Sequence, residues 1–334
     1  TTNPKKTTNP KKTTNPEKII KPEKITNPEK IIKHIKSKIF TMEGEFEYTD
    51  EKYQGKPFFR KVTNNKLEKK INHLIFNIKD KKKLSNVINK IKPDYIFHLA
   101  ALKHVPVCEI NVQETIKTNI NGTTNIVNAA IKNRVKKVID VSSDKAVEPI
   151  NLYGMTKSVG EKTIIQANEL SDCTKFVCIR GGNVMGSSGS VIPLFIDQIK
   201  NGGPLTITDM QMTRFFLTLE EAIHLIFKAS IDSIGGETFV MNMPACYIKD
   251  LAEVLMDNYG KVEVVESGIR PGEKLDEMLI SHHESQLTYC YDEYYFVTLP
   301  ANYNQALATR YQDHDKFPYK EFSSKTKSSI KFRE

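Results

Sequence analysis

Residues 136–157 read KKVIDVSSDKAVEPINLYGMTK, a stretch that joins an apolar run to a helical pattern. The apolar part predicts a buried strand over 136–142, and the residues after Asn151 predict a helix over 153–169. Tyr153 and Lys157 are four residues apart and therefore share one face of that helix. An ammonium beside a phenol lowers the pKa of the phenol, and a phenolate is a base suited to the oxidation of an alcohol.

Taken alone, a Tyr-x-x-x-Lys pair is more often a surface pattern of a helix than an active site. Here a strand end that carries Ser142 and Ser143 precedes the tyrosine by about ten residues. Doubly wound folds bind ligands at the carboxyl ends of their strands, so this context favours the catalytic interpretation.

The chain on both sides of this stretch alternates strand and helix patterns. Buried strands are predicted at 71–78, 94–99 and 175–180, and helices at 80–91 and 109–133. This order predicts an α/β fold with a doubly wound, Rossmann-like parallel sheet. Beyond residue 190 we expect helices near 191–201, 219–232 and 247–258 and short strands at 205–208 and 237–242. The final forty residues show no clear periodicity.

The formal net charge of +9 belongs mostly to the amino-terminal segment. Residues 1–36 contain ten lysines and three glutamates, a net +7, which leaves +2 for the other residues. A body so nearly neutral argues against a nucleic-acid partner. The first thirty residues repeat a six-residue unit such as TTNPKK, whose prolines oppose helix and sheet. We therefore expect a disordered tail, which acts as an electrostatic tether or has no specific role.

The sequence predicts neither a membrane partner nor a metal site. No run of eighteen apolar residues occurs, and the amino terminus lacks the apolar core of a secretory signal. The five cysteines are scattered without CxxC spacing, which argues against a disulfide framework and against zinc. We therefore expect a protein of the reducing cytoplasm.

Six motifs follow one another between about Asn72 and Thr298, about two thirds of the chain. They are HLAALKHVP at 98–106, KTNINGT at 117–123, SDKA at 143–146 with Tyr153 and Lys157, GNVMGSSGSVIP at 182–193, TITD at 206–209 with MTRF at 212–215, and GIRPGEKL at 268–275. Together they resemble the extended short-chain dehydrogenase/reductases, and within them the UDP-N-acetylglucosamine 4,6-dehydratases of polysaccharide and nonulosonate biosynthesis. The resemblance extends to the soluble inverting dehydratases of pseudaminic acid synthesis.

This resemblance implies a chemistry for the central motif. In such enzymes a nicotinamide accepts a hydride from carbon 4 of the sugar while the tyrosine, here Tyr153 assisted by Lys157, takes the hydroxyl proton. The 4-ketone acidifies the hydrogen on carbon 5. Retaining enzymes carry an Asp-Glu pair, whereas Asp144-Lys145 resembles the inverting ones. Lys145 is then the base at carbon 5 and Asp144 the acid at carbon 6, which requires a neutral lysine with a lowered pKa.

The same resemblance implies the residues of two binding sites. The cofactor, NADP or NAD, is expected at Asn77, Ile78, Leu99, Lys103, Tyr153, Lys157 and Val184. The UDP-sugar substrate is expected at Lys103, Asn183, Val191, Thr208, Arg270 and Glu273. Arg270 would bind the pyrophosphate and Glu273 a nucleoside hydroxyl. Arg214 is a further basic candidate or a structural ion pair, and His104 either shapes its loop, the favoured role, or takes part in catalysis. Family members are commonly homo-oligomers.

One departure from the family concerns the cofactor phosphates. Before Gly122 the chain has only Gly44 and Gly55, so the glycine-rich turn of the first βαβ unit is absent. A non-catalytic protein that binds sugar nucleotides is therefore an alternative to the dehydratase. A carbon 4 epimerase is another, although it has no need of Asp144 and Lys145.

These patterns divide the chain into five segments. They are a tail at 1–36, a divergent segment at 37–70, a Rossmann-like core at 71–190, a substrate-binding lobe with interleaved core elements at 191–300, and a carboxyl-terminal extension at 301–334.

Overall fold

The structure is a computed structural model that describes residues 74–187 and 189–327. The tail predicted at 1–36, the segment at 37–70 and the first residues of the strand predicted at 71–78 therefore lie outside the described residues. Ser188 and residues 328–334 lie outside them as well.

A six-stranded sheet lies at the centre of the described chain. Its strands are, in spatial order, β1 (Tyr95–His98), β2 (Lys137–Ser143), β3 (Lys175–Gly181), β7 (Thr238–Met241), β12 (Tyr295–Thr298) and β11 (Thr288–Cys290). The first four strands are parallel, and β12 and β11 are antiparallel to their neighbours. The predicted doubly wound, Rossmann-like α/β fold is confirmed.

Helices cover both faces of this sheet. Successive strand residues point to opposite sides, and here the residues on both sides are apolar and buried. The longer helices of the core are α1 (Lys81–Ile91), α4 (Gly122–Lys132), α5 (Leu152–Gln166) and α7 (Leu219–Asp232). Ile96 and Val138 belong to a buried cluster with residues of α1, α4 and α5. Their neighbours Phe97 and Ile139 belong to a second cluster, on the α7 side. The carboxyl ends of β1, β2 and β3 thus meet at one edge between two packed layers.

Smaller sheets follow the core. They are β4 (Asn183–Val184) with β6 (Thr213–Leu217) and β8 (Ala245–Tyr247), β5 (Leu205–Ile207) with β9 (Val264–Glu266), and β10 (Met278–Ile280) with β13 (Phe322–Ser323). The remaining helices are α2 (Val105–Ile110), α3 (Val112–Ile116), α6 (Val191–Lys200), α8 (Ile248–Tyr259), α9 (His282–Ser285), α10 (Gln305–Tyr311) and α11 (Ser324–Lys327). Helices α6 and α8 enclose a third cluster that includes Leu205 and Phe216.

The continuous helix predicted at 109–133 is wrong, and the break has a local cause. Asn111 has φ −118° and ψ 52°, outside the helical region, and separates α2 from α3. A π-helical turn at Lys117–Asn121 then leads into α4. That turn carries Asn119, whose side chain accepts from the Leu102 amide at 2.8 Å and donates to the Leu102 carbonyl at 3.0 Å. The irregular helix therefore fixes the loop that follows β1.

Two further predictions at the sheet are corrected. Residues 74–78 form no strand, although Ile78 is buried. The aperiodic final residues include β12, which pairs with β7 over four residues inside the central sheet. None of the described helices is long and apolar enough to cross a membrane. Within the same residues, no group of three or more His, Cys, Asp or Glu side chains is placed to hold a metal ion.

Candidate active site

The Asp144-Lys145 pair lies in a tight turn at the carboxyl end of β2. A single 3₁₀ turn spans Asp144–Ala146, and the Ser143 hydroxyl caps it by accepting from the Lys145 amide at 3.3 Å. The same hydroxyl donates to Asp144 Oδ1 at 2.8 Å. Asp144 is buried, and its Oδ2 has no hydrogen-bond partner among the described residues. The turn thus holds one carboxylate oxygen and leaves the other unsatisfied.

Helix α5 begins directly against this turn. Asn151 caps the helix by accepting from the Gly154 amide at 2.7 Å. A Cβ atom on Gly154 would lie 2.2 Å from the Lys145 carbonyl oxygen, so only glycine permits this approach. The contact places Tyr153 beside the turn, where the charges of Lys145 and Asp144 act on its phenol. Ser143 and Lys145 both donate to Asp144 Oδ1 within the turn, and Tyr153 lies on the helix packed against it.

The predicted lowering of the Tyr153 pKa by Lys157 occurs but does not prevail. Burial raises the pKa of Tyr153, and the charges of Lys157 and Lys145 offset only part of that rise. Lys157 itself is buried, and its Nζ lies 3.2 Å from Asp140 Oδ2. Burial alone would lower the pKa of Lys157, but Asp140 and Tyr153 outweigh it and raise that pKa. The ammonium is therefore charged and held by Asp140.

His98, at the end of β1, faces the same carboxylate. Its Nε2 lies 3.8 Å from Asp140 Oδ1 and 3.0 Å from Thr123 Oγ1. Burial lowers the pKa of His98 to about 4, so the ring is neutral at pH 7 and Lys157 is the partner that compensates Asp140. Sequence reasoning missed Asp140, whose only signal was a carboxylate in the middle of a strand predicted to be buried.

The lowered pKa predicted for Lys145 is wrong. Its Nζ lies 3.1 Å from Asp144 Oδ1 and 3.3 Å from Glu277 Oε1. Burial alone would lower the pKa of Lys145, but the charges of Asp144 and Glu277 outweigh it and raise that pKa well above its usual range. In this structure Lys145 is an ammonium ion between two buried carboxylates.

The 268–273 loop contacts the start of α5. Asn151 Nδ2 donates to the Gly272 carbonyl at 2.8 Å, and the Lys274 ammonium donates to the Val147 carbonyl at 2.7 Å. Arg270 is exposed and its guanidinium lies 4.0 Å from Glu273 Oε1, so the two predicted substrate residues form a pair at the protein surface. The loop is therefore held against residues 147–151, which follow the 144–146 turn, while Arg270 remains exposed.

Arg214 binds the backbone that directly follows this loop. Its guanidinium donates to the carbonyls of Thr213, Lys274 and Leu275 at 2.7, 2.9 and 3.0 Å. Its Nε lies 3.8 Å from Glu277 Oε1. The structural role considered for Arg214 is the one these contacts support.

The other predicted site residues lie on several different elements. Leu99 and Lys103 are exposed on the loop after β1, Asn183 and Val184 form β4, Val191 begins α6 and Thr208 follows β5. Asn77 is exposed and accepts from the Lys79 amide at 3.0 Å, whereas Ile78 packs against Gly122. A Cβ atom on Gly189 would lie 3.0 Å from the His104 ring, which places His104 against the 183–190 loop. These binding roles remain predictions.

Comparisons with known proteins identify the family of this chain. The family model described as "Polysaccharide biosynthesis protein" matches residues 28–299. A UDP-N-acetylglucosamine 4,6-dehydratase (inverting) of Campylobacter jejuni is 42% identical over 229 residues, which are 68% of this chain and 67% of the relative. A UDP-glucose 4-epimerase of Rickettsia rickettsii is 44% identical over 218 residues, 64% of this chain and 63% of the relative.

A solved structure is also similar. The X-ray structure of Pen from Bacillus thuringiensis has 37% sequence identity and a TM-score of 0.69, and the match covers 77% of each chain. Across the first curated relatives, the matched segment spans between 38% and 67% of the relative's length.

Proposed function

Since the chain belongs to the polysaccharide biosynthesis protein family of extended short-chain dehydrogenase/reductases, we propose that it is a nucleotide-sugar 4,6-dehydratase that acts on UDP-N-acetylglucosamine and inverts carbon 5. One observation carries the proposal. Ser143 and Lys145 both donate to Asp144 Oδ1, and the close contact between Gly154 and the Lys145 carbonyl packs the start of α5, which carries Tyr153, against the same turn. A base for the carbon 4 hydroxyl, an acid for carbon 6 and a base for carbon 5 thus lie on adjacent elements.

Each residue has one task in this reaction. Tyr153 takes the proton of the carbon 4 hydroxyl, and Lys157 stabilises the phenolate that the step requires. Lys145 removes the proton from carbon 5, which the neighbouring ketone acidifies. Asp144 protonates the hydroxyl that leaves carbon 6 as water. Arg270 binds the substrate pyrophosphate and Glu273 a nucleoside hydroxyl, with Lys103, Asn183, Val191 and Thr208 around the sugar nucleotide.

A nicotinamide dinucleotide, NADP or NAD, would supply the hydride acceptor and donor for this cycle. Lys157 suits its ribose hydroxyls, because a charged donor lies buried beside the carboxyl ends of β1 and β2. Asn77, Ile78, Leu99, Lys103 and Val184 are proposed as the further contacts. The described residues include no glycine-rich turn for the pyrophosphate, so calorimetric titration with NADP and with NAD is the direct test of affinity.

The functional assay follows deuterium. Incubation with UDP-N-acetylglucosamine and NADP in deuterated water should give a 4-keto-6-deoxy product with deuterium on carbon 5, detected by mass spectrometry and proton NMR. The Tyr153→Phe variant should lose turnover while its thermal unfolding stays near that of the wild type. Lys145→Gln should also lose turnover and, in addition, lower the melting temperature, because it leaves Asp144 and Glu277 buried without the ammonium between them. No product from wild-type protein with saturating cofactor would refute the dehydratase.

The carbon 4 epimerase is the second candidate, supported by the Rickettsia relative and by Tyr153 with Lys157. Under the same conditions an epimerase would return a carbon 4 epimer without loss of water and without deuterium on carbon 5. Binding of the UDP-sugar without binding of either cofactor would instead indicate the non-catalytic protein.

We also propose a cytoplasmic homo-oligomer, with the segments 191–300 and 301–334 as substrate lobe and extension. Val107, Ile110, Met155 and Val159 are exposed apolar residues on α2 and α5, two helices that contact each other. Ile110 is 82% exposed, and a group of exposed apolar side chains on two packed helices is suited to burial between subunits. Light scattering coupled to gel filtration should show a multimer for the wild type and a smaller species for Ile110→Asp.

A further inference from the structure

Glu277 is a buried carboxylate at the active site that no sequence motif predicted. It is 2% exposed, and two backbone contacts fix it from the carboxyl-terminal segment. Its amide donates to Ser324 Oγ at 2.9 Å, and its carbonyl accepts from the Ser324 amide at 2.8 Å. Oε1 faces Lys145, and Oε2 is buried with no hydrogen-bond partner among the described residues. Such an arrangement is costly unless a proton or a charge compensates it.

The proposed function creates a proton problem at Lys145. A base at carbon 5 must be a neutral amine, whereas the lysine here is an ammonium between two carboxylates. Asp144, at 3.1 Å, is one acceptor for the surplus proton. Asp144 must itself carry a proton when it acts on the carbon 6 hydroxyl. A single carboxylate cannot hold both protons.

The contacts of Asp144 indicate where its proton comes from in this reaction. The Ser143 hydroxyl donates to Asp144 Oδ1 at 2.8 Å, and Tyr153 lies on the helix whose start packs against the same turn. In the proposed cycle the proton that Tyr153 takes from the carbon 4 hydroxyl passes through Ser143 to Asp144, which leaves Asp144 protonated and Tyr153 a phenol again. Asp144 is thus occupied by the first step. The second acceptor within reach of Lys145 in the described structure is Glu277, at 3.3 Å.

We propose that Glu277 is the proton partner of Lys145: it takes one ammonium proton, which leaves a neutral amine to deprotonate carbon 5. This inference rests on the proposed dehydratase function. The protons balance. Oxidation of carbon 4 places one proton on Asp144, and Glu277 takes one from Lys145. Lys145 then gains the proton of carbon 5, and Asp144 gives its proton to the departing water. Reprotonation of carbon 5 removes one further proton from the site and leaves Glu277 ionised again.

The surroundings of Glu277 agree with this exchange. Burial raises the pKa of Glu277, and Asp144 adds to the rise, while Lys145, Arg214 and Lys274 oppose it. Arg214 holds the backbone at 274–275, just before Glu277, and its Nε lies 3.8 Å from Glu277 Oε1, so contacts within the protein position this carboxylate near Lys145. Glu277 is a positioning residue in this scheme, because it acts through Lys145 and not on the sugar.

The test separates the two halves of the reaction in Glu277→Gln, an isosteric change that cannot accept the proton. Single-turnover absorbance at the reduced-nicotinamide band reports oxidation of carbon 4. When the isolated 4-keto-6-deoxy product is incubated with the enzyme in deuterated water, the rate at which its carbon 5 hydrogen exchanges reports proton removal by Lys145. We expect oxidation within about threefold of wild type and carbon 5 exchange slowed about a hundredfold, the size of a general-base effect.

A carbon 5 exchange rate that does not fall in Glu277→Gln would overturn the inference. If Glu277 only keeps Lys145 charged, its removal frees the amine, and exchange in Glu277→Gln will equal or exceed that of the wild type. Glu237→Gln is the matched control, since Glu237 is a buried carboxylate remote from Lys145 that accepts from the Ile234 and Gly235 amides and from the Tyr311 hydroxyl. It should lower the melting temperature without changing the ratio of exchange to oxidation.

Two further measurements keep the result decisive. Glu277→Asp retains the carboxylate one methylene further from Lys145 and should recover part of the exchange rate. If Glu277→Gln does not fold, Glu277→Asp decides. A ratio of carbon 5 exchange to carbon 4 oxidation equal to that of the wild type would then refute the inference. If the wild type forms no product, the proposed function fails and not the role of Glu277.

Discussion

Replacement of Gly154 by alanine should damage catalysis more than stability. Its new Cβ would lie 2.2 Å from the Lys145 carbonyl oxygen, and real Cβ atoms essentially never approach below 3.0 Å. The start of α5 and the 144–146 turn must therefore separate by at least 0.8 Å, the difference between those distances. Pro149, whose Cβ lies 3.0 Å from the same position, blocks one direction of escape.

The two effects differ in size. Alanine gains about 1 kcal/mol over glycine in a helix, while an overpacked contact costs about 1–3 kcal/mol, so the net loss of stability is about 0–2 kcal/mol. A displacement of about 1 Å between catalytic groups costs about a hundredfold in rate. The displacement changes the distance between the proposed catalytic groups, because Tyr153 lies on the helix that moves and Asp144 and Lys145 lie on the turn.

The assay compares kcat for the 4-keto-6-deoxy product with the free energy of unfolding in urea. Gly160→Ala is the control on the same helix, because the nearest atoms to its Cβ, the Asn119 carbonyl oxygen and Thr123 Oγ1, lie 3.9 Å away. It should be as active as the wild type and slightly more stable. A Gly154→Ala protein with wild-type kcat would refute the claim that this contact sets the distance between Tyr153 and the turn.

Three other outcomes follow from single contacts. Asp140→Asn leaves the buried Lys157 ammonium without its carboxylate and should cost about 3 kcal/mol of unfolding free energy, measured in urea at pH 7. Burial alone would raise the pKa of Glu284, but the Arg180 guanidinium, 2.7 Å from its carboxylate, outweighs that effect and lowers the pKa to about 2. The Glu284 carboxylate therefore contributes about 3 kcal/mol to the free energy of unfolding above about pH 4.5, and this contribution is lost as the pH falls towards 2. Glu284→Gln should flatten the dependence of the unfolding free energy on pH between these values. Arg270→Ala should raise KM for the UDP-sugar about tenfold or more and change stability by less than about 0.5 kcal/mol, since the side chain is exposed.

The elements that the sequence predicted well are those whose pattern depends on burial alone. The strand predicted at 136–142 is observed at Lys137–Ser143, and the helix predicted at 80–91 at Lys81–Ile91. The break at Asn111 was missed because the helix period continues through it, and the π-helical turn was missed because the bonds of its Asn119 reach a loop 17 residues earlier. Strand β12 was missed because its register is set by pairing with β7, more than fifty residues away in the chain.

The charge state of Lys145 shows why site chemistry is harder to predict than fold. The motif indicated a lysine beside one aspartate, and burial alone would have lowered its pKa as expected. The sign changed because the chain returns 132 positions later and places Glu277 on the other side of the ammonium. Neither carboxylate pattern nor periodicity marks Glu277 in the sequence, since its partner lies across the fold. A catalytic lysine must therefore be assigned its proton from the carboxylates that surround it in space, and here that requirement makes Glu277 part of the chemistry.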